Sequence, residues 1–338
     1  MPVVPPLGPA EVDRITPAAA RGSNAIRGAR IGRVGEHPAG FDTCDYDERR
    51  LEALAAVTVD PIALDDVFAR ARGAAPDRVA RARATAERDC DGLDALDAGE
   101  IDRSLRLECA LDGLRGEGGY DAFAVRCWPE CFTEHGGAMC APVAMMGERR
   151  VPCACEADVY GALTSLALQA IADAPVFLVD LVDIDPADGT GVVWHCGQAP
   201  ISMAARRTPP GATEGSLAAV GGAGARDGGG RAARATVHTN RRMALLYEFA
   251  LKPGRVTLAR ISQARGRHSL VIAGGEMLDR PMAFTGTSGT LRFDAPAARV
   301  MEGILGGGVE HHLALAYGDH RHDLRGLAAE LGLPVLEL

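Results

Sequence analysis

The chain is almost devoid of lysine: Lys252 is the only one among 36 basic residues, and the rest are arginine. With so much alanine and glycine, this reads as biased coding composition rather than as function. Positive charge is also the minority sign. A formal net charge of −9 over 338 residues excludes the broad basic face that nucleic-acid binding needs. No apolar run approaches the roughly 20 residues of a membrane-spanning helix, so no membrane partner is expected. The opening MPVVPPLGPAE lacks the basic-then-apolar order of a secretory leader, which predicts a cytoplasmic protein. Nine cysteines, an odd number without framework spacing, read as reduced thiols. Gly32 and Gly35 follow the first apolar run without completing G-x-G-x-x-G, so no nucleotide cofactor is expected.

What is present is an ordinary globular composition, 47% hydrophobic and 24% charged, at a length that suggests two domains. Residues 1–28 are rich in Pro, Ala and Gly and read as a linker or the remnant of a preceding domain. Strand-like segments at 29–34, at 121–128 and in the run into Glu156 alternate with helical periodicity from Glu48, over 76–91, 101–114 and 131–146. That alternation predicts a doubly wound, Rossmann-like α/β domain over 29–173. Beyond it, short alternating runs such as GVVWHC, MALLYEFAL and GRVTLARISQ predict a β-rich, barrel-like C-terminal domain over 174–338. Within that half, residues 203–233 hold too little apolar content to pack and read as a mobile Gly-rich surface loop.

The stretch 151–195 crosses the predicted join and carries the polar tips of three apolar runs: Glu156, Asp180 and His195. In α/β proteins, ligands bind where strands run out. Two carboxylates with a histidine from EHHLALAYGDH make an oxygen-rich set that favours Mn²⁺ or a similar divalent ion over a thiolate zinc site. Each residue also has a plainer reading. Glu156 and Asp158 can cap the following helix, Asp180 and Asp183 can be turn residues, and His311 and His312 can flank a strand. Cys127/Cys131 and Cys153/Cys155 have irregular spacing on or beside apolar strands, and read as buried inert thiols rather than zinc ligands. In HRHD, Asp323 is expected to cap the last helix.

Five ordered segments, ACEADVYGALT, FLVDLVDID, WHCGQAP, FTGTSG and EHHLALAYGDH, resemble the L-fucose/L-arabinose isomerase superfamily, and the L-fucose isomerase-like branch most. The resemblance runs over residues 29–338 and implies metal-dependent aldose–ketose isomerisation of a monosaccharide through a cis-enediol. It implies Glu156, Asp180 and His312, rather than His311, as metal ligands, with Glu156 and Asp180 also catalytic. It implies sugar contacts from His195, and Trp194, Arg126, Trp128 and Asn240 are weaker candidates; Arg126 can equally pair with Glu130. Relatives of this type assemble as trimers or hexamers, so a homo-oligomer is expected. The resemblance implies a further N-terminal domain, which this chain is expected to lack and on which activity is expected to depend. The alternative is a truncated, non-catalytic metal- or sugar-binding relative.

Overall fold

A computed structural model describes residues 15–205, 235–240 and 243–338. In chain order the helices are α1 (Pro17–Ile26), α2 (Glu48–Ala55), α3 (Leu64–Arg72), α4 (Pro76–Asp89), α5 (Ala98–Gly118), α6 (Cys140–Glu148), α7 (Val159–Ala172), α8 (Ala297–Gly307) and α9 (Arg321–Leu331). The strands of the first half are β1 (Arg30–Val34), β2 (Thr58–Ile62), β3 (Cys90–Asp91), β4 (Ala122–Val125) and β5 (Cys153–Cys155). Those of the second half are β6 (Phe177–Asp185), β7 (Thr190–His195), β8 (Ala235–Asn240), β9 (Met243–Ala250), β10 (Gly254–Ser262), β11 (Ser269–Met277), β12 (Thr287–Phe293), β13 (His312–Tyr317) and β14 (Val335–Glu337).

β2, β1, β4 and β5 form a four-stranded parallel sheet in that order, with all three pairings parallel. β4 (AFAV) and β5 (CAC) are continuous buried apolar runs because both faces are covered there, whereas β2 at the edge has no buried residue. Val34, Phe123 and Val125 pack with Phe68 of α3 and Leu107 and Leu111 of α5, while Ile31, Ala122 and Ala124 pack with α7 and Ile26 of α1.

The second half closes into a six-stranded barrel. β10 pairs with β11, β11 with β12, β12 with β7, β7 with β6, β6 with β13, and β13 returns to β10, every pair antiparallel. Period-2 alternation assigns the faces. Phe177, Val179, Leu313 and Leu315 belong to the core that fills the barrel, whereas Leu178, Ala314 and Ala316 pack with α7. The small side chains on β13 let α7 lie close, so one apolar layer joins sheet and barrel.

Four expectations change. The segment read as linker contains α1, capped by the Thr16 hydroxyl, which accepts from Ala19 N–H, with Pro17 at the first helical position. Its short Ala/Gly face, including Gly22 against Ile171, packs on α7, a contact that a hydrophobicity pattern does not register. The helix expected at 131–146 is broken at Gly136, whose φ is +75°, into a short π turn at Cys131–His135 and α6. Asp323 caps nothing: it sits in the first turn of α9 and accepts from the Thr16 hydroxyl at 2.5 Å. Asp180 does not end its strand, because β6 runs five residues further, to Asp185. The expected loop at 203–233 lies almost wholly outside the described residues.

Candidate metal centre

Glu156 stands immediately after β5, in a turn where it and Ala157 both adopt left-handed φ values of +59° and +56°. Two consecutive non-glycine residues in this region carry strain on the order of 1–2 kcal/mol each, a cost that clusters at functional sites. The turn ends at Asp158, the N-cap of α7, which accepts from Gly161 N–H at 2.8 Å.

Strand register supplies the other half of the site. His312, the first residue of β13, lies opposite Asp180 of β6, and Asp180 lies opposite Trp194 of β7. Asp180 and His312 are in step with Leu178 and Ala314, the residues that face α7. They therefore meet Glu156 where α7 begins. His312 Nε2 is 3.5 Å from Glu156 Oε2 and 3.4 Å from Asp180 Oδ1.

The electrostatics are those of a site built to be charged. Burial opposes ionisation of Glu156, but His311, His312, His195 and the Trp128 indole N–H together hold its pKa below the ordinary value. Asp158 is fully buried, yet its pKa is held well down by Arg260 and His312. Burial keeps His312 neutral, its pKa lowered despite Asp158. His312 Nδ1 lies 2.9 Å from Asp158 Oδ2. A carboxylate only accepts, so the ring proton sits on Nδ1 and the Nε2 lone pair faces Glu156 and Asp180.

His195 is polarised the opposite way. The backbone N–H of Cys196 donates to His195 Nδ1 at 3.1 Å, and the Gln198 amide nitrogen lies 2.7 Å from the same atom. With Nδ1 accepting from the Cys196 N–H, the ring proton is on Nε2. His195 thus offers an N–H donor where His312 offers a lone pair.

Three buried polar atoms at this point have no hydrogen-bond partner: Asp180 Oδ1, His195 Nε2 and His312 Nε2. Buried polar atoms are ordinarily satisfied, and an orphaned cluster marks a place for an ion or ligand. Two groups of side chains have ligand atoms within 4.8 Å of one another: Asp180, His195 and His312, and Cys44, Glu156, His311 and His312. Carboxylate and imidazole suit a first-row divalent ion, and His312, common to both groups, has Nε2 between Glu156 Oε2 and Asp180 Oδ1, one carboxylate from each group.

The pocket beside this cluster, about 150 Å³, is lined by Glu156, Asp180, His195, Trp128, Trp194 and several cysteines. Both tryptophans of the chain are therefore here. Trp194 Nε1 donates to Thr285 O at 2.7 Å and its ring stacks on His195, centroids 5.9 Å apart. Arg126 is engaged elsewhere: it holds Glu130 through Nε and Nη2 at 2.5 and 2.6 Å, and the Glu36 and His37 carbonyls through Nη1. Asn240 closes β8 by its backbone, and its side chain lies outside the described residues.

Sequence reasoning missed Arg260, which is fully buried and bonds Asp158 through both terminal nitrogens. Its signal was a charge inside the apolar run VTLARIS. Cys44 and Phe41 were missed too, for they come from the Gly/Pro-broken loop after β1. Phe41 packs edge-on to both Trp128 and His311.

A strained carboxylate at a sheet edge, meeting a carboxylate and an oriented imidazole on a barrel wall, defines a class: α/β proteins with a candidate divalent-cation centre between sheet and barrel. Residues 193–338 match the family described as L-fucose isomerase, C-terminal domain. The chain is 31% identical over 314 residues to a sulfoquinovose isomerase of Alkalicoccus urumqiensis, covering 93% of this chain and 66% of that one. It is 31% identical over 310 residues to one of Clostridium sp. strain MSTE9, covering 91% and 64%, and 29% identical over 311 residues to one of Priestia megaterium, with the same coverage. The chain belongs to the L-fucose isomerase-like family. It spans just under two thirds of the length of these curated relatives. Among the described residues no helix is long and apolar enough to cross a membrane.

Proposed function

We propose that the chain is a metal-dependent aldose–ketose isomerase acting on a monosaccharide, with Glu156, Asp180 and His312 holding the cation. The observation that carries this reading is the convergence of these residues on orphaned polar atoms beside a pocket. When bound, a divalent cation such as Mn²⁺ polarises the carbonyl and hydroxyl oxygens of the sugar. Glu156, kept ionised by its neighbours, is the base that takes the proton from C2, and Asp180 moves a proton between the two oxygens. The C2 proton returns at C1, which passes the sugar through a cis-enediol. His195 Nε2–H donates to a sugar oxygen, and Trp128 and Trp194 offer apolar faces to its C–H surface.

The names of the relatives put the sulfosugar sulfoquinovose first in the substrate panel, followed by L-fucose, D-arabinose and L-arabinose. We read residues 29–173 as a doubly wound, Rossmann-like domain, supported by helices on both sheet faces and by the reversal of strand order between β1 and β4. Residues 174–338 are then the isomerase domain. A cytoplasmic homo-oligomer completes the proposal, with light scattering on the purified chain as its check.

Incubation with Mn²⁺ and the sugar panel in D₂O tests the activity. Ketose formation with deuterium entering the carbon next to the carbonyl is expected for at least one sugar. Metal-dependent thermal stabilisation with no exchange in any of them overturns the isomerase reading and leaves a binding protein.

A further inference from the structure

Four of the nine cysteines, Cys127, Cys140, Cys155 and Cys196, line the pocket that also contains Glu156 and Asp180. None is needed to hold a cation or move a proton in the proposed reaction. They fall into two pairs. The sulfurs of Cys127 and Cys155 are 2.7 Å apart, and those of Cys140 and Cys196 are 3.3 Å apart. All nine thiols are free, and Cys196 is the one that is not buried.

We propose that Cys140 and Cys196 are an oxidative modification site, which a peroxide converts to a disulfide in the wall of the substrate pocket. The geometry asks for little: at 3.3 Å the sulfurs need to close by roughly 1.2 Å to reach a bond of about 2.05 Å. Cys140 opens α6 and Cys196 follows β7, so the bond would tie a helix of the first half to the barrel.

The two sulfurs are chemically unequal. The Cys140 thiol hydrogen-bonds to Cys196 and, helped by His195 and against the effect of burial, brings the Cys196 pKa down to about 5. Burial pushes Cys44, Cys109, Cys131, Cys153 and Cys155 up instead. Peroxide attack follows thiolate character and access, and both select Cys196. Cys127 and Cys155 are closer together but only 5% and 1% exposed.

The steps balance. The Cys196 thiolate attacks one peroxide oxygen, the O–O bond breaks, and the departing hydroxide takes a proton from solvent, leaving a sulfenic acid. The Cys140 sulfur then attacks the Cys196 sulfur, the S–O bond breaks, and the Cys140 proton leaves with the hydroxide as water. The sulfurs give up two electrons, which reduce the peroxide to two waters. Because the Cys196 N–H fixes the His195 tautomer, drawing this residue toward α6 disturbs the donor aimed into the pocket.

Peptide mapping of the full chain tests this without reference to the isomerase reading. The reduced protein is treated with hydrogen peroxide, blocked with iodoacetamide, digested without reductant and analysed by mass spectrometry. The expected product is one cross-link, Cys140 to Cys196, with an intact mass lower by about 2 Da and full reversal by dithiothreitol. In Cys140→Ser the sulfenic acid on Cys196 accumulates and is trapped by dimedone. A Cys127–Cys155 bridge forming first overturns the proposal. So does Cys196 remaining fully alkylatable at peroxide doses that already oxidise methionine.

Discussion

Arg260 and Asp158 form an ion pair sealed from solvent, with side chains 0% and 1% exposed and both terminal guanidinium nitrogens on the carboxylate. The same carboxylate receives His312 Nδ1–H and the N–H of Gly161. One buried group therefore caps α7, anchors an arginine from β10 and orients the imidazole at the start of β13.

Breaking this pair should cost both fold and metal. Arg260→Met leaves the Asp158 charge buried without its main partner, a change that costs about 3–5 kcal/mol in comparable cases. Asp158→Asn weakens the acceptor that fixes His312, and losses of this kind lower metal affinity about 10–100-fold. Urea denaturation reads the first, and Mn²⁺ titration of the apoprotein reads the second. An Asp158→Asn chain that folds and binds Mn²⁺ as tightly as the parent removes Asp158 from the account of His312.

Gly161 gives a second way to move the same carboxylate. A Cβ at this position would stand 2.5 Å from Asp158 Oδ2 and 2.8 Å from its Cγ. Gly→Ala inside a helix ordinarily stabilises by about 0.5–1 kcal/mol. Here Gly161→Ala should instead lower the melting temperature and weaken Mn²⁺ binding together, because the carboxylate has to leave Arg260 or His312 to make room. A rise in melting temperature with unchanged metal affinity would show the site to be slack.

Much of this site was legible because its residues interrupt apolar patterns. Glu156 follows VPCAC, Asp180 follows PVFLV, and His312 precedes LALAY, so each appears as a polar intruder where burial is expected. What pattern could not supply was register. That His312 stands directly opposite Asp180 across the strands depends on the β6–β13 pairing, which is fixed by contacts more than a hundred residues apart. Asp158 was read as a helix cap and is one, but its two further partners come from β10 and β13. The barrel was legible from the alternation of its strands. α1 escaped notice because a helix of Ala, Gly and Ser buries little area per residue.

The two adjacent histidines should separate cleanly. Both place Nε2 near Glu156 and Asp180, but His312 is 1% exposed with Nδ1 fixed by Asp158, while His311 is 34% exposed, with Nε2 3.4 and 3.7 Å from the two carboxylates and Nδ1 3.0 Å from the Thr43 hydroxyl. His312→Ala should abolish stabilisation by Mn²⁺, which amounts to about 2.7 kcal/mol at a hundredfold excess over Kd. His311→Ala should retain most of it. Thermal melts with and without metal decide, and the reverse ranking would move the ligand set toward Cys44 and His311.

Stability should also fall as the medium is made mildly acidic, for a reason separate from the metal. His135 is buried, stacks on Phe68 with centroids 5.1 Å apart, and bonds the Arg103 carbonyl through Nε2 at 3.0 Å. Burial lowers its pKa from 6.5, and Arg72, Arg103 and Arg106 add to the effect against the carbonyl bond. Burial lowers His268 likewise. A histidine held neutral in the fold takes up its proton more readily once unfolded. Between the folded pKa and 6.5 the unfolded chain therefore binds more protons, and stability rises with pH. The contribution is complete above 6.5 and is lost as pH falls below it. Asp158, whose pKa is depressed, begins to matter only below the ordinary carboxylate range near 3.8, so the two windows do not overlap. Urea midpoints of the metal-free chain should drop between pH 7.5 and pH 5.5 (roughly one unit either side of a free imidazole's pKa), and His135→Phe should flatten that slope. Midpoints that stay level across this range in the parent chain would show that neither ring is held neutral by the fold.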